Sequence, residues 1–231
     1  MNTKVWGGPL WRVLHGTGQL RDRRFAPHLA NVVSTLEFVM PCSFCRESYI
    51  QFSKDLNIDE IDETIASGNF ARWLYDMHNK VVFKLQAQIL EKARVPKKYV
   101  AAVLEESKLS FEVLQKRLRI SVPYFSATDV FVCLGILALS AREGTCKVRK
   151  AHFLKFARSI AFLLTGFPVS AAIGTELLSA LHSATVRNFN AIMAKLLQVE
   201  LNRRPSTAEK HQHVQTLSYA KASSCTAGVC L

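Results

Sequence analysis

The chain has 231 residues, 49% of them hydrophobic and 21% charged, enough to bury a sizeable core, which excludes a wholly disordered chain. Its 10 Gly and 7 Pro are scattered, which excludes collagen-like and low-complexity classes, and 6 Cys are too few for a disulfide scaffold. The net charge of +12 is uneven, with +2 in residues 1–95 and +10 in residues 96–231, an excess that could attract nucleic acid, an anionic surface or an acidic protein, or simply solubilise a second domain.

The start, Met1-Asn2-Thr3-Lys4-Val5-Trp6, lacks the basic patch and apolar run of a secretory signal, which predicts a cytoplasmic chain. Apolar residues recur at three and four throughout, so the expected fold class is all-α. Pro9 is read as opening the first helix, with Leu10, Trp11, Leu14 and His15 on one stripe until Gly16 and Gly18 weaken it. Leu29, Val32, Val33 and Leu36 mark a second helix that must stop near Met40, because Pro41 disfavours helix in the residue before it. A third helix begins at Pro41-Cys42 and carries Phe44, Tyr49 and Phe52. Asn69 is the expected N-cap of a fourth, from Phe70 to about Leu90, with Leu74, His78, Val81 and Leu85 on one face. Four such segments with short connections suggest a helical bundle.

Pro96 opens a further helix through Glu105 and Glu106, and a domain boundary is placed between about 95 and 110. The expected units are residues 1–95, a helical domain of 96–204 and a flexible tail of 205–231. Helices are predicted over Phe111–Ile120, Thr128–Arg142, Ala151–Thr165 and Val169–Leu201. The most apolar stretches, Val130–Leu139 and Ile160–Ala172, fall short of the ~20 residues of a membrane span, so no span is expected. The basic excess shows no aromatic-interleaved motif, so no nucleic acid is expected as a partner.

Chemistry concentrates at Pro41-Cys42-Ser43-Phe44-Cys45, where one helix stops and another starts. Two thiols three residues apart on a first helical turn can close a disulfide, and the helix N-terminus is expected to lower their pKa. The competing readings are half of a zinc site, which needs two further ligands, and a structural disulfide. Trp11 and His15, with Trp73, Tyr75, His78, Asn79 and Lys84, supply aromatic, imidazole, amide and cationic groups suited to stacking on a flat cofactor. On spacing alone such residues are more often core than a cofactor box.

Trp6-Gly7-Gly8-Pro9-Leu10-Trp11-Arg12-Val13-Leu14-His15, then Pro41-Cys42-Ser43-Phe44-Cys45-Arg46, then Phe70 to Val81 with Lys84-Leu85, resemble the flavin-linked sulfhydryl oxidases of the Erv/ALR family, in order and spacing, over about residues 4–90. The resemblance implies a small four-helix-type bundle that grips FAD with the C-x-x-C pair against the flavin. It implies FAD contacts at Trp11, His15, Tyr75, His78, Asn79, Val81 and Lys84, with Gly7, Gly8 and Leu10 along the cofactor edge. Val82 stands where the family commonly has Asn, exchanging a polar cofactor contact for an apolar one, and Met40 stands where an aromatic residue often precedes Pro-Cys. By the same resemblance Cys45 is the flavin-proximal sulfur and Cys42 the one attacked by incoming thiols. Cys225 and Cys230 resemble the mobile shuttle disulfides of family members, on a linker from Arg204 to Ser224 with a span of roughly 25 Å. Cys133 reads as a small buried hydrophobe, and Cys146 is given no role. Long appended helical domains occur in similar oxidases of large DNA viruses, which implies a viral enzyme of the host cytoplasm or virion, working as a homodimer.

The expected activity is a thiol oxidase passing electrons from substrate proteins through Cys225/Cys230 to Cys42/Cys45, to FAD and to O₂, with release of H₂O₂. The alternative is a basic helical adaptor that binds nucleic acid or protein and carries a structural or zinc-bound C-x-x-C. A thioredoxin-like oxidoreductase would need strands around the cysteines, and no strand periodicity is present there.

Overall fold

A computed structural model describes residues 3–106, 110–120, 124–143, 147–168, 170–182, 188–189 and 191. Among them the regular structure is entirely helical, with no strand, as the three-and-four periodicity predicts. Helix α1 (Thr3–Thr17) corrects the reading of Pro9: the helix starts six residues earlier and runs through the proline. The ring there leaves the carbonyl four residues back without its usual donor. α1 closes where the Gly18 N–H returns to Leu14 O at 2.8 Å. α2 (Ala26–Val39) has Pro27 in its first turn and stops at Met40, whose ψ of 133° is the extended value Pro41 imposes on its predecessor.

α3 (Ser43–Asp55) buries Tyr49, whose hydroxyl donates to Val33 O at 2.8 Å and ties the helix to α2. Phe44, on the first turn between the two cysteines, is 71% exposed. α4 (Ile61–Ala66) is too short for periodicity to announce. It ends on Gly68 at φ +78°, a left-handed turn that lets the Asn69 N–H reach Thr64 O at 2.9 Å. α5 (Phe70–Lys92) follows, and the Asn69 side chain donates to Ser67 instead of capping it.

Then come α6 (Lys97–Glu106), α7 (Phe111–Ile120), α8 (Ala127–Glu143), α9 (Lys147–Leu164) and α10 (Ala171–His182). α8 opens with a capping box: Ser126 Oγ accepts from the Asp129 N–H at 3.1 Å while Asp129 Oδ2 accepts from the Ser126 N–H at 2.8 Å. The other oxygen of Asp129 takes Arg12 Nη2 at 2.6 Å, pinning α1 to α8 with a nearly buried charge.

α2 lies along α9, where His28 stacks on Phe162 with centroids 4.0 Å apart and Phe38 stacks on His152 at 3.8 Å. α10 also packs closely on α9, and Gly174 makes that approach possible, since a Cβ there would stand 2.7 Å from Ala161 O. The apolar interior is continuous from Trp6 and Val13 through Val33 and Leu36 to Leu134, Phe156, Leu164 and Leu181. Cys133 is buried in it, as a small hydrophobe. No helix among the described residues is long and apolar enough to cross a membrane. Cys146, Cys225, Cys230 and the whole of the segment 205–231 lie outside the described residues.

Candidate functional site

The turn from α2 to α3 delivers the dithiol. Cys42 occupies the N-cap position of α3 with extended backbone (φ −98°, ψ 123°), and its sulfur accepts the Cys45 N–H at 3.3 Å. A sulfur thereby takes the place usually held by a serine or aspartate oxygen. Arg46, one turn on, donates from Nη1 to Met40 O at 2.9 Å. The expectation that the helix N-terminus lowers both thiols is corrected at Cys45. Burial first, then a hydrogen bond with Cys42 and its charge, push the Cys45 thiol up to about 12, against a downward pull from Lys84. Cys45 sits inside the wall of the site, where loss of water outweighs the helix field.

Cys42 and Cys45 line a cavity of about 570 Å³ between α1, α3 and α5. Its size lies within the range of roughly 300–1,000 Å³ typical of small-molecule sites. Of the residues singled out from the sequence, Gly7, Gly8, Leu10, Trp11, His78, Val81, Val82 and Lys84 line the same cavity. At Gly7 an added Cβ would meet nothing within 4 Å, so the backbone there borders open space. Leu74 and Leu85 complete the predicted α5 stripe along the cavity.

Three positions lie elsewhere. Tyr75 is buried on the opposite flank of α5, packed with Leu114 and Leu118 of α7 and Phe111. His15 is buried behind the cavity wall, its Nε2 3.0 Å from His78 Nδ1. Asn79 is beside the wall, with a buried Nδ2 that has no partner in the protein.

The rings form a layered wall. Trp11 stacks on His78 at 4.1 Å with planes 12° apart, and His15 continues the layer at 5.7 Å from Trp11. Burial pushes His78 down to about 4, and burial with the neighbouring His78 pushes His15 to about 3. Both are neutral near pH 7, so one ring donates and the other accepts across their shared hydrogen bond. Trp73 also lines the cavity, but its Nε1 is committed to Leu56 O at 2.8 Å.

Ser48 is a site residue that the sequence does not announce: it lines the cavity and accepts a hydrogen bond from Lys84 Nζ, tying α3 to α5. Phe52 and Gln88 also line the cavity, and Trp6 lines it with a buried Nε1 that lacks a partner. Among the described residues no cluster of three or more His, Cys, Asp or Glu is placed to hold a metal ion. The arrangement is an apolar slot walled by aromatic rings and glycines, with an unpartnered donor at Trp6, a cation at Lys84 and a dithiol at one side. It fits a flat heteroaromatic ligand that reacts with sulfur.

Comparison with protein-family models, with curated proteins and with solved structures finds no match to this chain.

Proposed function

We propose that the chain is an FAD-dependent sulfhydryl oxidase that forms disulfides in protein substrates, with Cys42 and Cys45 as its redox pair. The observation that carries the reading is the convergence of the dithiol with the Trp11–His78 stack, Gly7, Gly8 and Lys84 on one ligand-sized apolar cavity. When bound, FAD supplies an acceptor for the two electrons of the dithiol and a route for them to O₂, which becomes H₂O₂. Trp11 and His78 would hold the ring system, Trp6 would offer a donor to it, and Val81 and Val82 would exclude water from the slot.

The chain's own part is thiol exchange. A substrate thiolate attacks the Cys42 sulfur of the oxidised pair, the Cys42–Cys45 bond breaks, and Cys45 departs with the electron pair. Lys84, which lowers the Cys45 pKa against the effect of burial, stabilises that departing charge. The second substrate thiol then attacks the mixed disulfide, leaving the substrate oxidised and both cysteines reduced. Cys225 and Cys230 are proposed as the shuttle that carries electrons from bulky substrates to Cys42, and a homodimer as the working state.

The purified protein should be yellow, hold FAD near one per chain and consume O₂ with dithiothreitol. Cys45→Ala should abolish turnover with every thiol, whereas Cys225→Ala should spare dithiothreitol and impair protein substrates. A colourless protein that takes up no FAD on reconstitution would refute the reading, and stoichiometric zinc in its place would favour the adaptor.

A further inference from the structure

We infer that Arg149, on α9, is a positioning residue for the Cys42–Cys45 pair, setting the disulfide equilibrium of the dithiol from the far half of the chain. The inference deepens the oxidase reading and rests on it.

The argument starts from the end of α2. Pro41 stops that helix, and the last carbonyls of a helix have no partner within it. Two of them, Phe38 O and Met40 O, are taken by one guanidinium. Arg149 Nε donates to Phe38 O at 2.9 Å, and its Nη2 donates to Met40 O at 3.4 Å and to Ser140 Oγ at 2.9 Å. Met40 O also receives Arg46 Nη1, so the carbonyl just before Pro41-Cys42 is gripped from α3 and from α9 together. One turn along α9, His152 stacks flat on Phe38 with planes 10° apart, fixing the same helix end by its side chain.

From Met40 O the main chain has only Pro41 to cross before reaching Cys42, and proline fixes one of the intervening torsions. The grip on Met40 O therefore dictates where the Cys42 sulfur lies, which is where it accepts the Cys45 N–H. Disulfide closure demands a narrow range of Cβ separation and torsion, so the equilibrium between dithiol and disulfide reads how firmly that turn is held. The planar fork of Arg149 meets Phe38 O, Met40 O and Ser140 Oγ from fixed positions, an arrangement that the single rotatable ammonium of a lysine does not preorganise.

The test uses the full-length chain in glutathione buffers of graded ratio, under argon so that no O₂ draws electrons from the pair. The reaction read is the dithiol plus one glutathione disulfide giving the Cys42–Cys45 disulfide plus two glutathiones, quenched by acid and counted by alkylation and peptide mass. Arg149→Met should lower the equilibrium constant for forming the disulfide roughly tenfold, a rise in potential of about 30 mV, with unchanged far-ultraviolet dichroism. Arg149→Lys should fall between it and the native chain. A purely structural arginine would change the melting temperature and leave this constant alone, so a folded Arg149→Met with the native value overturns the inference. Should Arg149→Met not fold, an unchanged constant in Arg149→Lys overturns it equally, and collapse of both assigns Arg149 to stability alone. Absence of any Cys42–Cys45 disulfide in the native chain is a different result, and refutes the oxidase reading itself.

Discussion

Acidification should destabilise this protein before its carboxylates titrate, and the buried imidazole pair is the reason. His15 and His78 have pKa values near 3 and 4 in the folded chain. In the unfolded chain both return to about 6.5. A depressed folded pKa means that the unfolded state binds more protons between the two values, so stability is complete above about pH 7 and is lost as pH falls from 6.5 toward 4. At 1.36 kcal/mol per pH unit, moving from pH 7.5 to 5.0 removes about 2 kcal/mol per histidine and about 4 kcal/mol for the pair. That is a large share of the roughly 5–15 kcal/mol that holds a domain together. His28 and His152 are also shifted down by burial and add to the same trend, so the pair must be isolated by substitution. Urea unfolding of the native chain, His15→Gln and His15→Gln/His78→Gln, followed by tryptophan fluorescence at both pH values, does this. The single variant should lose about 2 kcal/mol less than the native chain on acidification, and the double variant about 4 kcal/mol less. Equal losses in all three would show that these rings are not held neutral, and would refute the account of the wall.

Reduced Cys45, with its thiol near 12, should react with iodoacetamide at pH 8 roughly a thousandfold more slowly than an ordinary exposed cysteine, as peptide mass mapping would record. Lys84→Met should slow it further. Asp129→Ala removes the carboxylate half of the α8 capping box and leaves Arg12 without its partner, at a cost of about 2 kcal/mol in thermal or urea unfolding, while Asp129→Asn should recover part of it. Gly174→Ala forces a methyl against the Ala161 carbonyl and should cost about 1–3 kcal/mol, lowering Tm by several degrees.

Local chemistry was legible in the sequence wherever a single residue dictates backbone. Pro41 ends α2 and starts the turn to α3, Phe111–Ile120 is recovered at its observed bounds, and the Leu74, His78, Val81 and Leu85 stripe faces one cavity. The site was legible as a set of types, with eleven of the cavity-lining positions named in advance: Gly7, Gly8, Leu10, Trp11, Cys42, Cys45, Trp73, His78, Val81, Val82 and Lys84. Direction was not legible. Tyr75 shares a helix with His78 yet faces α7, because a displacement of three residues along α5 carries it past the edge of the cavity toward an apolar surface supplied from forty residues away. Pairings across the fold left no trace in periodicity. Arg12 finds Asp129, and Arg149 finds Phe38 O, only once helices far apart in the chain are packed together. The Cys45 expectation failed for the same reason: a helix-end field is visible in one segment, while desolvation needs the surrounding walls.

The seam between α2 and α9 makes the two ends of the chain hard to handle apart. Phe25, His28 and Phe38 lie against Phe162 and His152, and a chain cut near residue 95 would bare those faces to water. The stretch that holds the dithiol therefore leans for its cover on a helix that contributes nothing to the lining of the cavity. A minimal version carrying the first five helices would need polar replacements along the outer face of α2 before it stayed dispersed in water.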